Sequence, residues 1–555
     1  MTAVELAVRG GTVVDGSGRP GYRADVGIAA GRIVEIADRV EGAEEIDASG
    51  RLVVPGFVDL HTHYDAQALW DPELSPSSWQ GVTSVVLGNC GLSLAPVAAG
   101  GRDVLLRTLE KVEDMRMATM EAGIEWDFET YSEYLAAVAR RGPVINVGGY
   151  VGHTAVRVYV MGEDAAERAA TPDEVDAMRA VVAESLRGGA LGFSTDRAGF
   201  ILGAGGRPLP SVVADRDEVE ALMRVTDEVG RGIVHIAPGD DYRWLYELDP
   251  PLQRPINWSS ILAYRPGSTT RLSYKVKLAD LEAGRRAGAA LFAQVTCRPI
   301  QQLISLRNPS PFSPVPAFAE VFAVPVEERA KVYDDRTWRA RASEGLAASS
   351  IPVRWDAFSV AESARSPQLI GRSLASIADE RGCSAFDAMC DVAVADGLAT
   401  RFAITFANDD PDAVRELLLG EGAIMGLSDA GAHVSQICDA VLPLDFLGGW
   451  VRDREVMAVE EGVRKLTGEL ADVLGIDRGY LEVGRPADLA VLDYAAVGPG
   501  PIRRVQDMPA GGERLVGDAP TGLDAVVVNG VPIRRGGAPV PDLLDRRPGT
   551  ILRSA

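Results

Sequence analysis

His61 and His63 stand two residues apart at the end of the apolar run FVDLHTH, in a chain that has five histidines. Side chains alternate along a strand, so both imidazoles face the same side. Three further metal-binding residue types mark similar runs: Cys90 ends VVLGNC, His235 sits within IVHIAPGDD, and Asp429 ends IMGLSD. Imidazole nitrogen, thiolate sulfur and carboxylate oxygen are donors that zinc takes readily. Brought together, these residues would hold a divalent metal ion, zinc being one that takes this donor set. A divalent ion lowers the pKa of a water on it from ~15.7 toward ~7 and polarises a carbonyl oxygen. A carboxylate alongside takes the water's proton and returns it to a leaving nitrogen, and Asp429 is the residue for that role. The chemistry expected is hydrolysis of a C–N bond in a small molecule. Each residue also has a plainer reading, since a buried cysteine or a lone strand histidine is commonly part of a core. Their grouping is what gives each its weight. His153 and His433 lie nearer the rims of their runs and are expected to contact substrate or support the ligands.

For these residues to meet, their runs must be neighbouring parallel strands with the chemistry at the same ends. Eight such runs can be counted, at 57–63, 82–90, 143–153, 190–196, 232–237, 255–260, 291–299 and 423–431, with FAITF at 402–406 as a ninth candidate. Helical stretches alternate with them, as in βα units. Thr171-Pro172-Asp173-Glu174 offers an N-cap, a proline at the first helical position and a capping-box glutamate. Val175, Met178, Val182 and Leu186 then share one face. A second helix begins at Ser384, with Phe386, Met389, Cys390 and Ala393 as its buried stripe. This predicts an α/β fold, a (β/α)8 TIM barrel over 57–474, with its active site at the C-terminal strand ends. Residues 1–56 and 475–545 instead alternate apolar and polar positions between glycine turns. They predict a small β-sandwich domain formed from both chain termini, or else two separate β appendages. The interval around 300–365 is rich in Pro, Phe and Trp without a clear period, and is expected to be an insertion or lid over the barrel mouth.

Composition narrows the partners. Hydrophobic residues at 46% and charged residues at 24% predict a large packed core. The formal charge of −23 argues against nucleic acid and anionic membrane, leaving a small-molecule substrate, with a homo-oligomer left open. Five cysteines without a CxxC pair do not resemble a disulfide framework and fit free thiols in a reducing compartment. No apolar stretch reaches the ~18 residues of a membrane span, and the N-terminus lacks a signal-like pattern, so a cytoplasmic location is expected.

The segments PGFVDLHTHYD, GVTSVVLGNCGLSLAPV, MEAGIEWDFETYSEYL, GGALGFSTD, GLSDAGAH and VGRPADLAVLD together resemble the N-acyl-D-amino-acid deacylase (D-aminoacylase) branch of the amidohydrolase superfamily, from about residue 5 to 535. The resemblance implies a barrel with a small β-sandwich, and a zinc centre. It matches the HxH histidines to His61 and His63, and the bridging cysteine that replaces a carbamylated lysine to Cys90. The histidine of strand five matches His235, and the catalytic aspartate of strand eight matches Asp429. One position departs from the pattern. The branch carries a histidine on strand six, where this chain reads Arg254-Pro255-Ile256-Asn257-Trp258-Ser259-Ser260. Asn257 or Ser259 would fill the space as weaker zinc ligands, with Asp240 or Asp241 as replacement carboxylates. For substrate, Arg298 and Arg197 are candidates to pair with a carboxylate, and Tyr64, Tyr150, Ser194 and His153 to line the pocket. The activity expected is cleavage of a linear amide such as an N-acyl-D-amino acid. Opening of a cyclic amide or imide by the same chemistry is the alternative, and a silent scaffold that has lost its metal is the reading of a different class.

Overall fold

The computed structural model describes residues 3–199, 203, 207–265, 272–313, 315–348 and 353–554. The eight apolar runs become eight parallel strands of one curled sheet. They are Phe57–Asp59, Val82–Leu87, Asn146–Gly152, Gly192–Asp196, Ile233–Ala237, Ile256–Ser259, Leu291–Val295 and Ala423–Met425, each beside the next in chain order. Both faces of these strands are covered, which is why they read as nearly continuous apolar runs rather than alternating ones. The ring is joined where the last strand meets the first. Thr62 bridges Ala430 in parallel, and the His63 N–H donates to the Ala430 carbonyl at 2.7 Å.

The chain divides into two compact units. The first comprises Met1–Ile261, Lys277–Cys297 and Arg415–Ala555 and holds the barrel. In it the helix Pro172–Gly188 starts where the sequence places it, with Thr171 accepting from the Glu174 N–H and the glutamate returning the contact. The second unit comprises Leu262–Val276 and Arg298–Val414. Its strand Arg401–Ala407, which contains FAITF, pairs antiparallel with Ile300–Ser305 and Phe358–Glu362 and so is not a barrel strand. Phe312, Phe318, Trp338, Phe358 and Phe386 form an aromatic core there, packed against the helix Ala385–Ala395 that Ser384 caps.

A nine-stranded sheet is built from both chain ends. Leu52–Pro55 pairs antiparallel with Leu489–Leu492 and joins the N-terminal strands to the C-terminal ones. Val8, Val26, Ile28, Val53, Leu489, Val491 and Val527 bury its apolar face. A buried polar network ties this sheet to the barrel. Asn146, at the start of the third barrel strand, donates to Asp488 Oδ2 at 2.8 Å and accepts from Asn529 Nδ2 at 2.7 Å. Arg478 Nε lies 2.7 Å from the same Asp488 carboxylate. Buried polar groups need such partners, and this set fixes the barrel floor, leaving its opposite end to the candidate ligands. Among the described residues no helix is long and apolar enough to cross a membrane. None of the five cysteines is in a disulfide.

Candidate metal centre

Two sharp turns present Cys90 and Asp429, while His61 and His63 follow directly on the first strand, Phe57–Asp59. After Val82–Leu87 the chain bends at Gly88, with φ +73°, where a Cβ would lie 2.1 Å from the Tyr150 carbonyl oxygen. Only glycine fits there. Cys90 follows in the left-handed region at φ +53°. The turn is clamped around it: the Ser194 hydroxyl donates to the Gly88 carbonyl and accepts from the Gly91 N–H. Asn89 Nδ2 donates to the carbonyls of Val86 at 2.9 Å and Thr62 at 3.2 Å. Asp429 lies after the eighth strand at φ +44°, two residues beyond Leu427 at φ +61°. The Ser428 hydroxyl between them donates to the His61 carbonyl at 3.0 Å. Non-glycine residues in this region cost about 1–3 kcal/mol each and persist where surrounding contacts fix them.

These turns bring five side chains together. One triad is His61, Cys90 and His235, another is His61, His63 and Asp429, and within each the ligand atoms lie within 4.8 Å of one another. His61 Nε2 is 3.1 Å from Asp429 Oδ1 and 3.4 Å from Cys90 Sγ. Cys90 Sγ is 4.0 Å from His235 Nε2, and His63 Nε2 is 4.0 Å from Asp429 Oδ1. A tetrahedral ion with bonds of ~2.0–2.3 Å holds its donors roughly 3.3–3.8 Å apart. Donor types and spacing therefore fit a divalent ion. The imidazoles are buried, whereas the Asp429 side chain is 31% exposed.

Burial sets the charge states. It lowers His61 below the ordinary imidazole value, and lowers His235 well below it with help from the neighbouring imidazoles. At His63 burial works the same way, but the Glu113 carboxylate, with Cys90 adding to it, raises this residue well above that value. Glu113 Oε1 lies 3.1 Å from His63 Nδ1. Burial also pushes the Cys90 thiol up to about 11. Two imidazoles thus present free lone pairs while the thiol keeps its proton.

The amidohydrolase family profile matches residues 44–534, which includes all of these positions. The chain belongs to the amidohydrolase family. It is 31% identical to an N-acyl-D-glutamate deacylase of Alcaligenes xylosoxydans xylosoxydans, over 99% of this chain and 96% of that one. It is 29% identical to a D-aminoacylase of the same organism, over 95% and 94% of the two chains. Among solved structures it is similar to the N-acyl-D-glutamate deacylase from Bordetella bronchiseptica complexed with zinc and a phosphonate inhibitor, a mimic of the reaction's tetrahedral intermediate. That likeness has a TM-score of 0.68 at 26% identity and covers 100% of both chains.

In this amidohydrolase the sixth strand pairs with the fifth so that Asn257 stands in register with His235. Asn257 is fully buried, and neither its amide oxygen nor its nitrogen makes a well-formed hydrogen bond. Neither it nor Ser259 belongs to a ligand triad. Tyr150 stacks on the His235 ring at 5.9 Å with the planes 10° apart. The other residues picked from sequence are not members of the two triads. Both His153 nitrogens are engaged, Nδ1 with Thr195 Oγ1 and Nε2 with Glu218 Oε1, each at 2.8 Å. Ser194 serves the Cys90 turn, the Tyr64 hydroxyl meets Ser77 Oγ at 2.8 Å, and Arg197 donates to the Ala214 carbonyl at 2.6 Å. Asp240 lies 3.4 Å from Lys277 Nζ, Asp241 is exposed, and His433 is half-buried. Arg298 belongs to the second unit, where its carbonyl accepts from Asn408. Glu113 and Gln294, which touch the candidate ligands, were not visible as site residues in the sequence reading.

Proposed function

We propose that this chain binds one or two zinc ions through His61, His63, Cys90, His235 and Asp429 and hydrolyses the C–N amide bond of a small N-acylated amino acid, of D configuration as in its deacylase relatives. The observation that carries the reading is the pair of donor triads sharing His61 at the C-terminal strand ends. On this reading 57–474 is the catalytic body, and 1–56 with 475–545 the β-domain. A bound divalent ion supplies Lewis acidity to the water and the scissile carbonyl. Asp429, a carboxylate that is partly exposed, takes the proton of the attacking water and delivers it to the leaving nitrogen. His61 and His235, buried and uncharged, each keep a nitrogen lone pair, and His63, held protonated by Glu113, would give up its proton to bind. Tyr150, stacked on His235, is the substrate contact this reading assigns near the ligands.

A panel of N-acetyl-D- and N-acetyl-L-amino acids, run beside hydantoins and lactams, tests the substrate class. Turnover of the D series is expected. Turnover of the rings alone would favour the second reading, for which Asn257 speaks: its buried amide, beside Tyr150, carries a donor and an acceptor that complement the N–H and C=O edge of a cyclic amide. Protein purified without chelator that holds only a trace of metal would favour the silent scaffold.

Metal uptake is expected to depend on pH through Cys90. Its thiol, raised to about 11 by burial, must lose its proton to ligate. Between pH 8 and 6 zinc affinity should therefore fall by roughly tenfold per pH unit for each proton displaced. Calorimetric titrations in buffers of different ionisation heat should register about one proton released from this thiol. A heat independent of buffer would remove Cys90 from the ligand set.

A further inference from the structure

Gln294 interrupts LFAQV, the seventh barrel strand, which is otherwise apolar. It is fully buried. Its side-chain oxygen lies 2.6 Å from His61 Nδ1, and its side-chain nitrogen lies 3.4 Å from His235 Nδ1. The eighth strand leaves space for this amide. A Cβ built on Gly426 would come within 2.6 Å of the Gln294 oxygen and 2.9 Å of its amide carbon. Gly426 has no positive φ, so the room it gives the glutamine, not a special backbone, is what its missing side chain provides.

The short contact has a definite chemical meaning. An amide oxygen only accepts, so the His61 nitrogen facing it must carry the imidazole proton. A neutral imidazole has one such proton, and its other nitrogen, Nε2, is then a lone pair. Nε2 is the atom 3.4 Å from Cys90 Sγ and 3.1 Å from Asp429 Oδ1, the corner shared by both triads.

We infer that Gln294 is a positioning residue of the metal centre, holding His61 in its Nδ1–H form so that Nε2 faces the ion. The inference rests on the metal-binding role proposed above. Its test uses the full chain as wild type, Gln294→Leu, which keeps the bulk and loses the contacts, and Gln294→Glu, which keeps an acceptor. Nitrogen-15 histidine spectra of the metal-free proteins report the His61 tautomer, and competition with a chromophoric chelator reports zinc affinity. Wild type and Gln294→Glu are expected to show His61 protonated at Nδ1. Gln294→Leu should show the proton redistributed to Nε2 and zinc binding weakened by about 10- to 100-fold, with Gln294→Glu recovering most of that loss. An unchanged tautomer and affinity in Gln294→Leu would overturn the role. If Gln294→Leu does not fold, Gly426→Ala, which crowds the native amide, is expected to give the same two changes, and their absence overturns the inference. Wild type that binds no zinc overturns the metal reading instead, so the two failures are told apart.

Discussion

Asp429→Asn is expected to keep the barrel and its zinc while turnover falls by about 10²- to 10⁴-fold, the usual contribution of a positioned acid–base group. The substitution is close to isosteric and retains an oxygen near His61 Nε2, from which the carboxylate stands 3.1 Å. The backbone at this position has φ +44°, a conformation asparagine adopts as readily as aspartate. What the variant loses is the ability to accept a proton. Zinc content by mass spectrometry, read beside kcat on the best substrate of the panel, checks both halves. Full turnover with zinc in place would assign the proton transfer to another residue.

The second large effect is expected on metal content. His61 belongs to both donor triads, whereas Cys90 and His235 belong to one, and His63 and Asp429 to the other. His61→Ala should therefore reduce bound zinc to a small fraction of an equivalent. Cys90→Ala and His63→Ala should each leave a residual population on the triad they do not touch, with weaker affinity. Elemental analysis of the three variants after identical purification decides the matter. Equal loss in all three would mean one site whose ligands act together, and retention in His61→Ala would remove it from the shared corner.

Much of this was legible in the residues themselves. HxH at the end of an apolar run, a cysteine after a glycine turn and an aspartate closing the last strand were each readable, because parallel barrel strands are uniformly apolar and interruptions at their ends stand out. The eight strands were countable for the same reason. The ninth candidate, FAITF, has the same texture but pairs antiparallel in the second unit, and periodicity alone does not report a strand's partners. The supporting residues were harder. Glu113 ends a helix among other acidic residues, and only the fold brings it to His63. Gln294 did leave a mark, as the lone polar residue of LFAQV, but a sequence does not say what a buried amide faces. His153 likewise depends on the fold for its reading, since only there are its two nitrogens seen engaged by Thr195 and Glu218.

The bridge between Thr62 and Ala430, where the eighth strand returns to the first, lies between the same residues that carry the ligands: His61 and His63 on one bank, Asp429 on the other. A cation held there would act as a rivet through the seam of the cylinder, fastening segments more than 360 positions apart in the chain. Loading the site would then reinforce a closure that the backbone already makes at this seam, and make it the most firmly held of the ring's eight joints.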